Sequence, residues 1–255
     1  MNFPIIISVI CILLLILLRF SAFDSTGSMS CKNFLGNNLL FITFAISLIV
    51  LFYSLQYQFT NPLTSFFVDR KNTLQRILIS ILFLIILLVL TFLMYSSQSR
   101  LLCFFFWILI LFVFSLLLFP IFQSLQLNQN LLLTISIQLI LLFSFFTFLG
   151  FTSPNLFNRT KIFPILLGVL ILLILSHLLS FFLLVTDKKE SFLTVRRILA
   201  IIGVALFSLF IWFDAGSLEL TKKYCTSKNV NYMKSSFQLI LDIVNLFMNL
   251  FNAQN

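Results

Sequence analysis

The sequence predicts an all-α protein, a polytopic bundle of transmembrane helices, and three observations predict it. Of 255 residues, 61% are hydrophobic and only 9% charged, whereas a soluble domain carries about 25% charged residues. The apolar residues gather in eight runs with almost no charge inside them, and eight helices of ~20 residues would use nearly all of them. Within hydrocarbon an open strand leaves its backbone groups unpaired, so runs of this length must be helical despite their Phe, Ile and Val content. Only short connections remain, which excludes an extramembrane catalytic module and a nucleic-acid-binding module.

The runs fall at roughly 4–18 (or to 23 if Arg19 reaches back to the interface), 39–55, 77–95, 101–122, 131–151, 162–185, 198–215 and 237–251. The first has no Lys or Arg ahead of its apolar core, which favours an uncleaved anchor or extra N-terminal helix over residues 1–23 rather than a secretory signal. Residues 1–22 also lack the Arg-rich amphipathic pattern of a mitochondrial presequence. The formal net charge of +9 does not indicate nucleic acid, because the basic residues stand at segment ends. Examples are Arg76, Arg100, Arg159 with Lys161, Lys188 with Lys189, Arg196 with Arg197, and Lys222 with Lys223. Cations so placed anchor helices at lipid headgroups. Membrane lipid is thus the expected partner. If all eight runs span, the loops on one side carry seven Lys and Arg and those on the other carry nine, a balance that does not set the orientation.

The four cysteines form no close pair and no metal motif. Cys31 and Cys225 share one membrane side and would bridge if that side were oxidising; free thiols are the expected state. Asn158-Arg159-Thr160, on the same side, is a glycosylation sequon close to the membrane.

With so little polarity, the informative residues are ionisable groups at membrane depth, which are costly unless they face a partner or a water-filled cavity. Asp214 closes the seventh run, Asp242 lies within the eighth, and His177 lies in the sixth. The acids Asp24, Asp69, Asp187, Glu190 and Glu219 fall in loops and are expected to be solvated. Gln238, Asp242, Asn245 and Asn249 are spaced 4, 3 and 4 apart, so they occupy one helix face that must meet protein or water. Amides alone would serve interhelical hydrogen bonding; the carboxylate among them adds a group suited to proton exchange or ion contact. Asp214 and Asp242 flank one connection, with Asp242 ~7.5 Å deeper if its helix starts at Phe237. Tilt would let them meet. Together they would share a proton and titrate as a unit: protonated, the pair holds two helices together; ionised, it repels them or admits a cation. The alternative for Asp214 is a solvated helix-end residue. Arg100, on the same face, is a candidate counter-ion, although simple snorkelling explains it as well. His177, beside Ser176 and Ser180, reads as a hydrogen-bonded packing residue. A single His supports no His-based zinc motif, and no nucleophile elbow or phosphate loop is present. Enzymatic activity and a resident cofactor are therefore not expected.

Two stretches, AIIGVALFSLFIWFDAG at 200–216 and NYMKSSFQLILDIVNLFMNLF at 231–251, resemble the Bax inhibitor family, the transmembrane Bax inhibitor motif proteins. That family ends its penultimate helix in a Tyr-Asp-Thr-Gln-like sequence and carries a Leu-Asp-Ile-Ile-Asn-Leu-Phe-like one in its last. Here Ala215 and Gly216 stand in place of Thr and Gln. FTFLGFTSPNLFNRTKIF at 146–163 looks like the family's fourth-helix exit, so the likeness lies mainly over residues 131–251. It implies a seven-helix core, over 39–251, plus the extra N-terminal helix. It also implies a pH-sensitive, Ca²⁺-permeable leak channel that opposes cell death. Asp214 and Asp242 would be its proton-sensing gate and transient Ca²⁺ contacts, and Gln238, Asn245 and Asn249 would line its pore. Family members occupy several organelle and bacterial membranes; the endoplasmic reticulum is the expected location here. A competing expectation is a non-conducting scaffold that binds cell-death regulators or other membrane proteins. A proton-coupled solute transporter and an intramembrane aspartyl hydrolase are further, weaker readings.

Overall fold

A computed structural model describes residues 3–24, 28–58, 73–154, 159–185, 189–226 and 230–254. Asp69, Asp187, Lys188 and the sequon residue Asn158 lie outside the described residues, as do the side chains of Arg76, Arg159 and Lys189. Among the described residues there are eight helices: α1 (Phe3–Ala22), α2 (Phe34–Gln58), α3 (Thr73–Ser96), α4 (Arg100–Leu127), α5 (Gln129–Thr152), α6 (Arg159–Val185), α7 (Lys189–Lys222) and α8 (Tyr232–Gln254). Seven of them are long and apolar enough to cross a membrane; the described apolar stretch of α3 is Ile81–Ser96. The chain is an all-α, multi-pass integral membrane protein. Phe20, Phe92, Leu101, Ile140, Leu172 and Leu179 are among its many exposed large apolar side chains. In water such a surface would be untenable; against lipid tails it is the expected exterior.

Local chemistry sets several helix ends. Asn33, with φ 50°, holds the left-handed conformation before α2, which Asn tolerates better than most residues. Asn128 caps α5 by accepting the Leu131 N–H at 3.1 Å, and Asn231 accepts the Lys234 N–H at 3.2 Å at the start of α8. Pro120 sits inside α4 and has no N–H to give the Leu116 carbonyl.

By internal packing the chain divides into two compact units. The first is Met1–Leu127 with Cys225–Phe237, and the second is Asn128–Tyr224 with Gln238–Asn255. In the first, α1 packs on α2, and both α2 and α3 pack on α4. Fully buried Trp107 stacks on Phe44 and Phe104 and meets Phe41 edge-on. Near the chain crossing, one amide ties four segments. Asn37 Nδ2 faces the carbonyls of Lys32 at 2.8 Å and Ser21 at 3.2 Å and donates to the Tyr232 hydroxyl at 3.1 Å. Ser21 Oγ donates to Asn37 Oδ1, and the Tyr232 hydroxyl donates to the Ser30 carbonyl. Lys234 Nζ donates to the carbonyls of Tyr95 and Ser97, at 2.9 Å each, which satisfies acceptors at and beyond the end of α3. Cys31 and Cys225 are joined in a disulfide with Cα atoms 6.0 Å apart. The expectation of free thiols is overturned for this pair, because folding brings the α1–α2 and α7–α8 connections together across 194 residues of sequence. Cys11 and Cys103 are free and buried.

In the second unit α7 packs on both α5 and α6. Its contact with α5 is close: a Cβ on Gly150 would lie 2.6 Å from Ala215 Cβ and 2.6 Å from the Trp212 carbonyl oxygen. Hydropathy underestimates α7. The apolar run ends at 215, yet the helix continues to Lys222, 34 residues in all and ~51 Å long. Beyond the hydrocarbon, hydropathy falls while the helix persists. Its last turns are supported by Thr221 Oγ1 bonding the Ser217 carbonyl at 2.8 Å and by a Glu219–Lys222 ion pair at 3.6 Å.

Candidate functional site

Two helix extensions set the depth of the aspartates. Asp214 lies eight residues before the end of α7 and Asp242 ten residues after the start of α8, or ~12 Å and ~15 Å of helix rise. The offset of ~7.5 Å expected from the apolar runs shrinks to ~3 Å. It closes because α7 runs on past Asp214 and α8 starts five residues earlier, with no special tilt required. Asp214 is therefore not a helix-end residue.

Both aspartates belong to the second unit. Their carboxyl groups come within hydrogen-bonding reach of each other. Asp242 is 6% exposed and Asp214 is half-buried. Asp242 Oδ2 has no donor among the described residues. Two carboxylates are acceptors only, so a hydrogen bond between them requires that one carry a proton.

The rest of the stripe is placed unevenly. Gln238 is exposed, so the inward-turned part begins at Asp242. Asn245 is half-buried, and Asn249, 8% exposed, donates through Nδ2 to the Asn245 carbonyl at 2.8 Å. Asn249 lies directly over Gly203 of α7: a Cβ built on that glycine would stand 2.2 Å from Asn249 Oδ1. One turn further on, Arg196 donates to Asn252 Oδ1 at 2.5 Å, and Gln254 donates to Gln138 Oε1 of α5 at 2.5 Å. Asp214–Asp242, Gly203–Asn249 and Arg196–Asn252 thus form an antiparallel series along one α7–α8 seam. Arg100 stands exposed at the start of α4, in the first unit. His177 is half-buried with Nδ1 2.9 Å from the Leu173 carbonyl, so that nitrogen is positioned to donate to the preceding turn.

Sequence reasoning missed Gly203, Gly150 and the Arg196–Asn252 contact. Asn252 extends the stripe by one more step of three, which was visible. Gly203 carried a signal too: the chain has only six glycines, and small residues in membrane helices mark close helix approach. Gly168 shows the limit of that signal, since a Cβ there would meet nothing within 4 Å.

Among the described residues no three His, Cys, Asp or Glu side chains gather as metal ligands. Ca²⁺ takes six to eight oxygen ligands, and two carboxyl groups with neighbouring amides fall short of a storage site. Compared with known protein families, characterised proteins and solved structures, the chain matches none.

Proposed function

We propose that the protein is a pH-sensitive cation leak of the Bax inhibitor type, permeable to Ca²⁺, with the Asp214–Asp242 pair as its gate. The observation that carries this reading is the buried Asp242 carboxyl against Asp214, with one oxygen lacking any donor among the described residues. A proton between them satisfies that oxygen and ties α7 to α8. When it leaves, two negative charges in a poorly solvated seam repel each other and become ligands for a cation. Flux should therefore rise with pH. Asn245 and Asn249 continue the polar surface along the seam, and exposed Gln238 lies one turn from Asp242 on the other side. The pair acts on a transported ion and not on a bond, so the reading is a channel and not an enzyme.

Location and physiological role follow the same proposal. A disulfide forms where one side of the membrane is oxidising, so Cys31–Cys225 supports a membrane bordering the secretory lumen or the exterior, with the endoplasmic reticulum as the first choice. Slow release of stored Ca²⁺ there would lower the load available to trigger cell death.

The test is Ca²⁺ entry into proteoliposomes between about pH 6 and pH 8. Flux that increases with pH in the wild type and is low and flat in Asp242→Asn supports the gate, because Asn donates a hydrogen bond as the protonated acid does but never ionises. Equal flux at all pH values, or an unchanged pH response in Asp242→Asn, rejects it. No conductance together with stable co-purification of a membrane partner would favour a scaffold.

A further inference from the structure

We infer that Arg196 and Asn252 form a second closure of the α7–α8 seam, at the end away from the aspartate pair. This inference rests on the seam being the ion path. The stripe on α8 does not stop at Asn249: Asp242, Asn245, Asn249 and Asn252 are spaced 3, 4 and 3 apart, one continuous face that covers ~15 Å of rise. Against it α7 presents Asp214, then Gly203, then Arg196. Gly203 lets the Asn249 amide sit on the α7 backbone, and a single methyl there would collide with it. At the far end the stripe meets a fixed positive charge.

The partner of that charge is informative. Arg196 is half-buried and hydrogen-bonds the neutral amide of Asn252 at 2.5 Å. Among the described residues no carboxylate pairs with it. A guanidinium held only for lipid anchoring would turn outward, as exposed Arg197 does. An amide fixes the geometry of Arg196 without neutralising it, so its full charge stands at the end of a polar path that carries cations. Arginine placed in a pore is an electrostatic barrier to cations, and it is most effective against a divalent one, whose repulsion is doubled. The Gln254–Gln138 bond joins α8 to α5 at the same end and limits how far α8 can swing away. The two closures therefore differ in kind. The acid pair opens with pH, whereas Arg196 lowers conductance at every pH.

The test uses the full chain in proteoliposomes. Arg196→Gln should raise Ca²⁺ flux at least threefold at both low and high pH, with the ratio between them unchanged. Asn252→Asp, which offsets the Arg196 charge while keeping it held, should raise flux as well, and Arg196→Lys, which keeps the charge, should leave flux near wild type, whereas a merely structural loss at this site would raise leak in Arg196→Lys too. A second readout does not depend on flux. Asn249→Cys is treated with a membrane-impermeant thiol reagent applied from the Arg196 side, with the unsubstituted chain as control for Cys11 and Cys103. Modification only when Arg196→Gln is also present supports the closure. Unchanged flux in Arg196→Gln overturns it, while a flat pH response confined to Asp242→Asn leaves the gate itself standing. If the wild type conducts nothing, the channel reading fails, and the labelling alone decides whether Arg196 seals the seam; equal labelling with Arg or Gln at 196 overturns that too.

Discussion

The two compact units use polar groups in opposite ways. In the first, the polar groups at the helix ends are held by neutral or backbone partners, and its buried atoms without a partner among the described residues, Tyr53 Oη, Gln56 Oε1 and Trp107 Nε1, belong to uncharged side chains: Asn37 links α1, α2 and the start of α8, Lys234 bonds carbonyls at the end of α3, and a disulfide joins the connections. In the second, polarity runs along the middle of a helix pair and stays incompletely satisfied, with a buried carboxylate oxygen lacking a donor and a guanidinium held by an amide. Satisfied groups stabilise one arrangement. A pair of acids in a poorly solvated seam interacts differently in its two protonation states, so protons can bias which arrangement is favoured. The first unit is therefore expected to control whether the protein holds together, and the second how it responds to protons.

Substitutions in each unit separate these roles. The largest stability effect should come from Cys31→Ser with Cys225→Ser. The disulfide closes a loop of 194 residues, and loss of a native disulfide costs typically ~2–5 kcal/mol. Thermal unfolding in detergent should shift down strongly, with the pH dependence of flux retained in the folded fraction. Next is Gly203→Leu, where overpacking against Asn249 should cost about 1–3 kcal/mol. It should also change flux at all pH values, because the amide is displaced from the seam. Asn37→Ala, which removes a donor to the Tyr232 hydroxyl and nearby carbonyls, should cost about 1–3 kcal/mol and leave the pH response intact. The smallest effect is expected for Tyr232→Phe, about 1 kcal/mol, again without change in pH response. A first-unit substitution that abolished pH sensing while the protein remained folded would break the division of labour.

The fold was legible because hydrocarbon imposes it: eight apolar runs of spanning length had no alternative to helices. Helix ends were read less well, since a window over hydropathy detects the membrane and α7 continues as a helix for two turns beyond it. The aspartates were legible as outliers in an apolar chain. Their close approach depended on the polar extension DAGSLELTK, which carries no hydrophobic signal. Ala215 and Gly216, which stand in place of the Thr and Gln of the resembled family, have a local reason here. They pack against Gly150 of α5, where larger side chains would hold the helices apart. The disulfide was not legible, because Cys31 and Cys225 are distant in sequence and pair only through the tertiary fold.

The central claim is that Asp214 and Asp242 hold one proton between them. It is tested most directly by infrared difference spectroscopy of the protein in lipid during a pH titration. The account predicts one protonated-carboxyl band that disappears as pH rises, in step with the increase in Ca²⁺ flux. In Asp214→Asn and in Asp242→Asn alike, that coupled titration should be lost. A carboxyl band that persists unchanged in either variant would show that the two acids titrate independently and would contradict the gate.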